Sequence, residues 1–223
     1  MKIQTKLNDL LKVKHPIMLA GMAGVAYSEV CAAVSNAGGY GTLGAANMSI
    51  NEISEEARKV RELTDKPFGI DLLSPVPDQL EKGVDAIIES GASSFIAGLG
   101  VPFPIIEKLH NAGLLVISMC GTVKHAIKAE EAGCDIVVAQ GTEAGGHTGK
   151  IAGMALIPQI VDAVKIPVVA AGSIIDGRGL AAALAFGAVG VWVGTRFIMS
   201  NEAHAHQDAK DYMLTSGIED TIV

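Results

Sequence analysis

Apolar and polar positions along this chain follow two rhythms that trade places at short intervals. Short apolar runs rich in β-branched residues, bounded by glycine or proline, read as strands buried on both faces, and the stretches between them read as helices. After a short amphipathic lead-in, His15-Pro16 breaks local helix and a first strand covers 17–20, ending at Gly21-Met22-Ala23-Gly24. Ser28 caps a helix over 29–36, Gly38-Gly39 ends it, and a second strand covers 40–43 before Gly44. The unit then recurs: helix 50–63, strand 68–73, helix 77–90, strand 94–98, helix 102–112, strand 114–119, helix 122–132, strand 136–139, helix 157–164, strand 167–171, helix 177–186, strand 190–194 and a last helix over roughly 201–215. Eight strands, each followed by a helix without an intervening linker, predict an all-parallel sheet covered by helices. Eight units favour closure, so the expected class is α/β, a (β/α)8 TIM barrel, with residues 1–223 forming one domain.

Composition narrows what such a barrel could act on. Hydrophobic residues make up 49% and charged residues 18%, so most elements bury a face and disorder is not expected. A net charge of −7 with scattered Lys and Arg argues against a nucleic-acid partner and for small-molecule chemistry. Cys31, Cys120 and Cys134 form no complete disulfide set, which fits a reducing compartment. The N-terminus lacks a signal-peptide core, and no apolar stretch reaches the roughly 20 residues of a membrane span. A cytoplasmic protein with no membrane partner is expected.

In barrels of this class ligands sit at the C-terminal ends of the strands. That rim comprises Gly21-Met22-Ala23-Gly24, Gly44-Ala45-Ala46-Asn47, Asp71, Gly98-Leu99-Gly100, Cys120-Gly121-Thr122, the run from Gln140 to Gly149, Ala171-Gly172-Ser173 and Gly194-Thr195. It is rich in glycine and poor in charge, which suits a flat, largely uncharged ligand touched mainly by backbone. Its centre is the stretch 134–149, where a buried strand runs into Gly141, Gly145, Gly146 and Gly149 with a single imidazole, His147, among them; one titratable ring in a glycine loop reads as a reaction centre. Gly172-Ser173 and Gly194-Thr195, after the last two strands, lie where barrels hold a phosphate on backbone N–H groups, with 195–198 as the short helix.

Other groups carry weaker claims. His204 and His206 are spaced to face different sides of a terminal helix, so no metal site is expected. Lys124 could approach a cofactor or sit on a solvated helix face. Cys120 reads as packing rather than a nucleophile, because no histidine partner is placed beside it. Glu143 could act as an acid, orient His147 or point to solvent, and Asp71 is a rim carboxylate whose surroundings can shift its pKa.

The segments 16–24, Ser35-Asn36-Ala37-Gly38-Gly39, Asp65-Lys66-Pro67-Phe68-Gly69, 139–149 and Ala170-Ala171-Gly172-Ser173 together resemble the nitronate monooxygenase family, itself similar to FMN-dependent enoyl-ACP reductases. The resemblance covers nearly the whole chain, and Glu143-Ala144-Gly145-Gly146-His147 is its most specific part. It implies an FMN-binding enzyme that oxidises alkyl nitronates with O2 to carbonyl compounds and nitrite, without a metal. Carried over by position, Gly172, Ser173, Gly194 and Thr195 hold the FMN phosphate, Gly21, Met22 and Ala23 lie against the isoalloxazine, Gln140 with Gly141, Gly145 and Gly146 borders it, and His147 is the base. Two departures stand out: Asp71 occupies a position that is Asn in many relatives, and many relatives continue well beyond Val223, so much of the usual C-terminal extension is expected to be missing. The alternatives are an NAD(P)H-dependent enoyl reductase and a flavin-binding barrel without turnover. A homo-oligomer is also compatible.

Overall fold

The computed structural model describes residues 3–73 and 77–221. In chain order the elements are α1 (Lys6–Leu11), β1 (Ile17–Leu19), α2 (Ser28–Asn36), β2 (Gly41–Gly44), α3 (Ile50–Leu63), β3 (Phe68–Leu72), α4 (Pro77–Glu89), β4 (Ser94–Ala97), α5 (Ile106–Asn111), β5 (Leu115–Cys120), α6 (Val123–Ala132), β6 (Ile136–Gln140), α7 (Gly153–Ala163), β7 (Val168–Ala171), α8 (Gly177–Ala185), β8 (Gly190–Val193), α9 (Thr195–Ile198) and α10 (Gln207–Thr215). The eight strands pair in parallel in the order β1-β8-β7-β6-β5-β4-β3-β2. Closure between β1 and β2 rests on one bridge, Met18 to Tyr40, flanked by Leu19 N–H to Tyr40 O and Tyr40 N–H to Ile17 O, both 2.9 Å. The result is the (β/α)8 barrel expected from the alternation, with a narrow seam.

Strand alternation sorts the side chains into two cores. Inside the barrel stand Met18, Ala20, Tyr40, Ile96, Ile117, Ile136, Val138, Val169, Ala171 and Trp192. Leu7 and Leu11 of α1 join them, so this helix closes the N-terminal end. Outside, residues such as Leu43, Ile70, Phe95, Val137 and Val191 pack beneath the surrounding helices.

Local chemistry explains where helices start. For α3 the capping box is complete: Ser49 Oγ accepts the Glu52 N–H (3.3 Å) and Glu52 Oε2 accepts the Ser49 N–H (2.7 Å), and the helix matches the expected range. Ser28 does not cap α2. Tyr27 holds the cap position without a side-chain bond, and the Ser28 N–H donates instead to Glu56 Oε2 of α3 at 3.0 Å. The predicted 102–112 helix divides into a 3₁₀ turn, Phe103–Ile105, and α5. The last helix is confined to α10, because residues 201–206 turn back on the loop after β1: His204 N–H donates to Val25 O (3.0 Å) and the His204 ring meets Tyr27 edge-on at 4.9 Å. Lys210 fastens this turn, its buried Nζ donating to Ser200 O (2.6 Å) and Ala203 O (3.0 Å).

Candidate active site

The catalytic end of a barrel is built by the loops that leave its strands, and here the loop after β6 contributes most. Gln140 lies two residues beyond inward-facing Val138, so it points into the barrel, and its Nε2 donates to Gly145 O at 3.1 Å. The loop beyond it is tied at its base, with Gly141 N–H bonded to Ala171 O (3.0 Å) and Thr142 N–H to Ile151 O (2.9 Å). His147 sits exposed in the excursion between these ties and makes no side-chain hydrogen bond among the described residues.

Glu143 is exposed, and among the described residues its carboxylate bonds not to His147 but to the start of α7. Both carboxylate oxygens accept the Gly153 N–H, each at 3.0 Å, and the side chain lies against Gly172 of the loop after β7. A carboxylate at the first N–H of a helix satisfies an orphan donor and complements the dipole. This explains why α7 begins at Gly153, four residues before the expected start at 157: its cap is supplied from ten residues upstream.

Asp71 ends the inward face of β3, in register with Gly44 of β2 and Ile96 of β4, and is 7% exposed. Methyl groups added at Gly21 or Gly98 would overlap its carboxyl group, so these two glycines frame it. Burial pushes the carboxyl up to about 8, opposed only by the Gly98 N–H, so the neutral acid predominates at pH 7.

Across the mouth, Gly172 (φ 119°) and Ser173 (φ 50°) turn the chain away from β7. A serine held in the left-handed region is uncommon and marks a backbone whose shape is dictated by its surroundings. Gly194 precedes α9, which spans the expected 195–198, and no side chain caps that helix. The loop after β1 bridges the rim: the backbone of Met22 presses on Gly44, and the Met22 sulfur would lie 3.4 Å from a methyl placed on Gly194. Gly21, Met22, Ala23, Asp71, Gln140, Gly141, Gly145, Gly146, His147, Gly172, Ser173, Gly194 and Thr195 thus all follow or terminate strands at one end of the barrel.

The remaining candidates are bystanders. Cys120 is buried, its thiol pushed up to about 12 by burial. Lys124, His125, His204 and His206 are exposed. Two cavities of about 320 and 470 Å³ lie away from the rim, one between α2 and the segment after α9, the other beside α9 and α10. None of the rim residues lines either cavity.

A glycine-framed mouth with one exposed histidine agrees with a further observation: residues 4–223 match the sequence model of the nitronate monooxygenase family. The chain belongs to that family. It is 38% identical, over 100% of its own length and 76% of the relative's, to a probable nitronate monooxygenase of Staphylococcus saprophyticus. It is also 42% identical over 99% of its length to a (3aS,4S,5R,7aS)-5-hydroxy-7a-methyl-1-oxo-octahydro-1H-indene-4-carboxyl-CoA dehydrogenase of Rhodococcus jostii. The chain spans 62% of that dehydrogenase and 63% of its counterpart in Mycobacterium tuberculosis. Among solved structures, FabK from Thermotoga maritima superposes with a TM-score of 0.95 at 38% identity, covering 99% of this chain and 70% of FabK. A nitroalkane oxidase from Streptomyces ansochromogenes gives 0.87 at 31% identity, covering 92% and 71%. The nitronate monooxygenase family is thus joined here by other oxidoreductases on the same barrel, and the chain is a member of an enzyme family. No helix among the described residues is long and apolar enough to cross a membrane.

Proposed function

We propose that the protein is an FMN-dependent oxidoreductase that oxidises alkyl nitronates with O2, giving a carbonyl compound and nitrite. The observation that carries the reading is the exposed imidazole of His147 on a loop anchored to its own barrel by Gln140 and Glu143, above a mouth almost without charge. The residues fit FMN. The rim leaves room for a planar ring, since methyl groups added at Gly145 or Gly24 would meet nothing within 4 Å. The acid that ends the inward face of β3, Asp71, is pushed up to about 8 by burial and is largely neutral at pH 7.

In this reading the backbone of Gly172-Ser173 and Gly194-Thr195 holds the phosphate, Gly21, Met22 and Ala23 form one wall for the ring, and Gln140 and Asp71 meet its polar edge. Gly141, Gly145 and Gly146 let the His147 loop approach closely. Bound FMN supplies the redox chemistry. The chain's own task is to exclude water, position the substrate and, through a neutral His147 ring nitrogen, accept a proton from a carbon acid when the substrate arrives protonated.

A second reading takes a CoA thioester as the carbon acid, and it is favoured by the 42% identical CoA dehydrogenase relative. Anaerobic titration of the yellow holoprotein separates the two. Bleaching by an alkyl nitronate, followed by nitrite release when air is admitted, supports the first reading. Bleaching by an acyl-CoA, with none by nitronate, would replace it with the second, and bleaching by NAD(P)H alone would point to an enoyl reductase instead.

A further inference from the structure

The inward face of β3 ends in an acid with nothing charged to meet it among the described residues. Around Asp71 stand β2 (Gly41 to Gly44), β4 (Ser94 to Ala97), the loop after β1 (Gly21 to Tyr27), the loop after β2 (Ala45 to Asn47) and Gly98 to Gly100 after β4. None of these segments contains an Asp, Glu, Lys, Arg or His, and among the described residues no charged neighbour acts on the carboxyl. Its frame is backbone and glycine, with Gly21 on one side and Gly98 on the other. An ionised carboxylate here would be buried without a counter-ion, whereas the neutral acid carries an O–H able to donate to a ligand lying over the mouth.

Given FMN as the cofactor, on which this inference rests, we propose that Asp71 holds the FMN ring as a neutral carboxylic acid, donating its O–H to an acceptor atom of the ring, so that cofactor binding requires the proton. A ring laid over the mouth excludes further water, which favours the neutral form still more. With the carboxyl of the free protein titrating at about 8, FMN binds a population that is nearly fully competent at pH 6 and shrinks tenfold for each pH unit well above 8.

The test is FMN binding to the apoprotein, followed by quenching of free flavin fluorescence from pH 6 to pH 10, for the wild type and for Asp71→Asn. An amide keeps a donor of similar shape that does not titrate. The ring N–H of the flavin itself loses a proton at alkaline pH in both proteins and cancels when the two are divided. The ratio of wild-type to variant dissociation constants is expected to be flat up to about pH 8 and to rise by about 100-fold by pH 10. A ratio that stays flat across the range overturns the proposal. Should the variant not fold, judged by circular dichroism, the wild type alone decides through its infrared difference spectrum on FMN binding. A protonated-carboxyl stretch that shifts in D2O is expected, and its absence overturns the proposal. FMN that binds at no pH would overturn the cofactor reading and this proposal together, whereas binding with equal strength at pH 6 and pH 10 would overturn this proposal alone.

Discussion

Replacing Gly44 by alanine tests whether the wall of the mouth is set by backbone pressed on backbone. The added methyl would lie closer than 3.0 Å to the N, C and O atoms of Met22, and a backbone cannot swing aside as the tip of a side chain can. Either β2 or the loop after β1 must shift. Forcing a methylene or methyl into a packed site costs about 1–3 kcal/mol. For a chain of this size each kcal/mol lowers Tm by about 2–4 °C, so a fall of about 2–12 °C is expected. Because either shift disturbs the wall formed by Met22, any rise in Tm on adding saturating FMN is expected to be smaller in the variant than in the wild type. The matched control is Gly145→Ala, whose methyl meets nothing within 4 Å and whose φ is not in the left-handed region. It should stay within about 0.5 kcal/mol of wild type. The assay is thermal unfolding followed by circular dichroism, with and without saturating FMN. If Gly44→Ala and Gly145→Ala melt together, the argument from close approach is wrong.

Three other outcomes are expected. His147→Asn should lower turnover of a neutral nitroalkane by about 10²- to 10⁴-fold, the usual loss when acid–base catalysis is removed, while sparing the matching nitronate, which needs no deprotonation; equal losses on both would make His147 a binding residue. Lys210→Met keeps the apolar stem but strands the Ser200 carbonyl, while Ala203 O keeps the Ala205 N–H, so a loss of about 1–2 kcal/mol and a Tm lower by about 2–8 °C should result, and a Tm within about 1 °C of wild type would show the tie to be idle. For Asp71 the sign comes from an acid whose value is raised on folding from 3.8 to about 8: below pH 4 it costs nothing, between pH 4 and 8 the wild-type apoprotein loses about 1.4 kcal/mol per pH unit, and above 8 the loss is constant. The stability advantage of Asp71→Asn should therefore widen through that window and then level off, and a gap independent of pH would refute the burial argument.

Much of the architecture was legible because barrel strands are apolar runs punctuated by glycine, and a short-range signal such as the Ser49-Glu52 box defines a helix start from four residues alone. Legibility failed where the deciding partner lies far along the chain. The start of α7 depends on Glu143, and the start of α2 on Glu56, which receives the Ser28 N–H from another helix. The terminal helix is shorter than its sequence pattern because residues 201–206 have helical character but are claimed by Val25 and Tyr27. For the candidate site, the rim positions were readable from strand ends, and Asp71 stood out as the rim's lone strand-borne acid. Its isolation from the charges of the described residues was not readable, since that depends on which neighbours β2 and β4 bring beside it. The role of Glu143 had a visible signal in hindsight: an acid ten residues before a glycine that opens an apolar helical stretch.

The helix that closes the barrel's N-terminal end also sets an order of assembly. Thr5 Oγ1 donates to Val189 O at 2.6 Å, a pairing across 184 residues, and Gly190 is a glycine because Leu7 and the Pro16 carbonyl occupy the space its side chain would need. The α1 segment therefore finds its seat only when β8 has been made. Until then Leu7 and Leu11 have no interior to enter, and an apolar helix face waits uncovered through the synthesis of seven strands. Contacts of such sequence separation slow folding by the loop entropy they must close. Sealing of the floor is thus among the last steps, and it is the step that joins α1 and β8 into one cooperative unit.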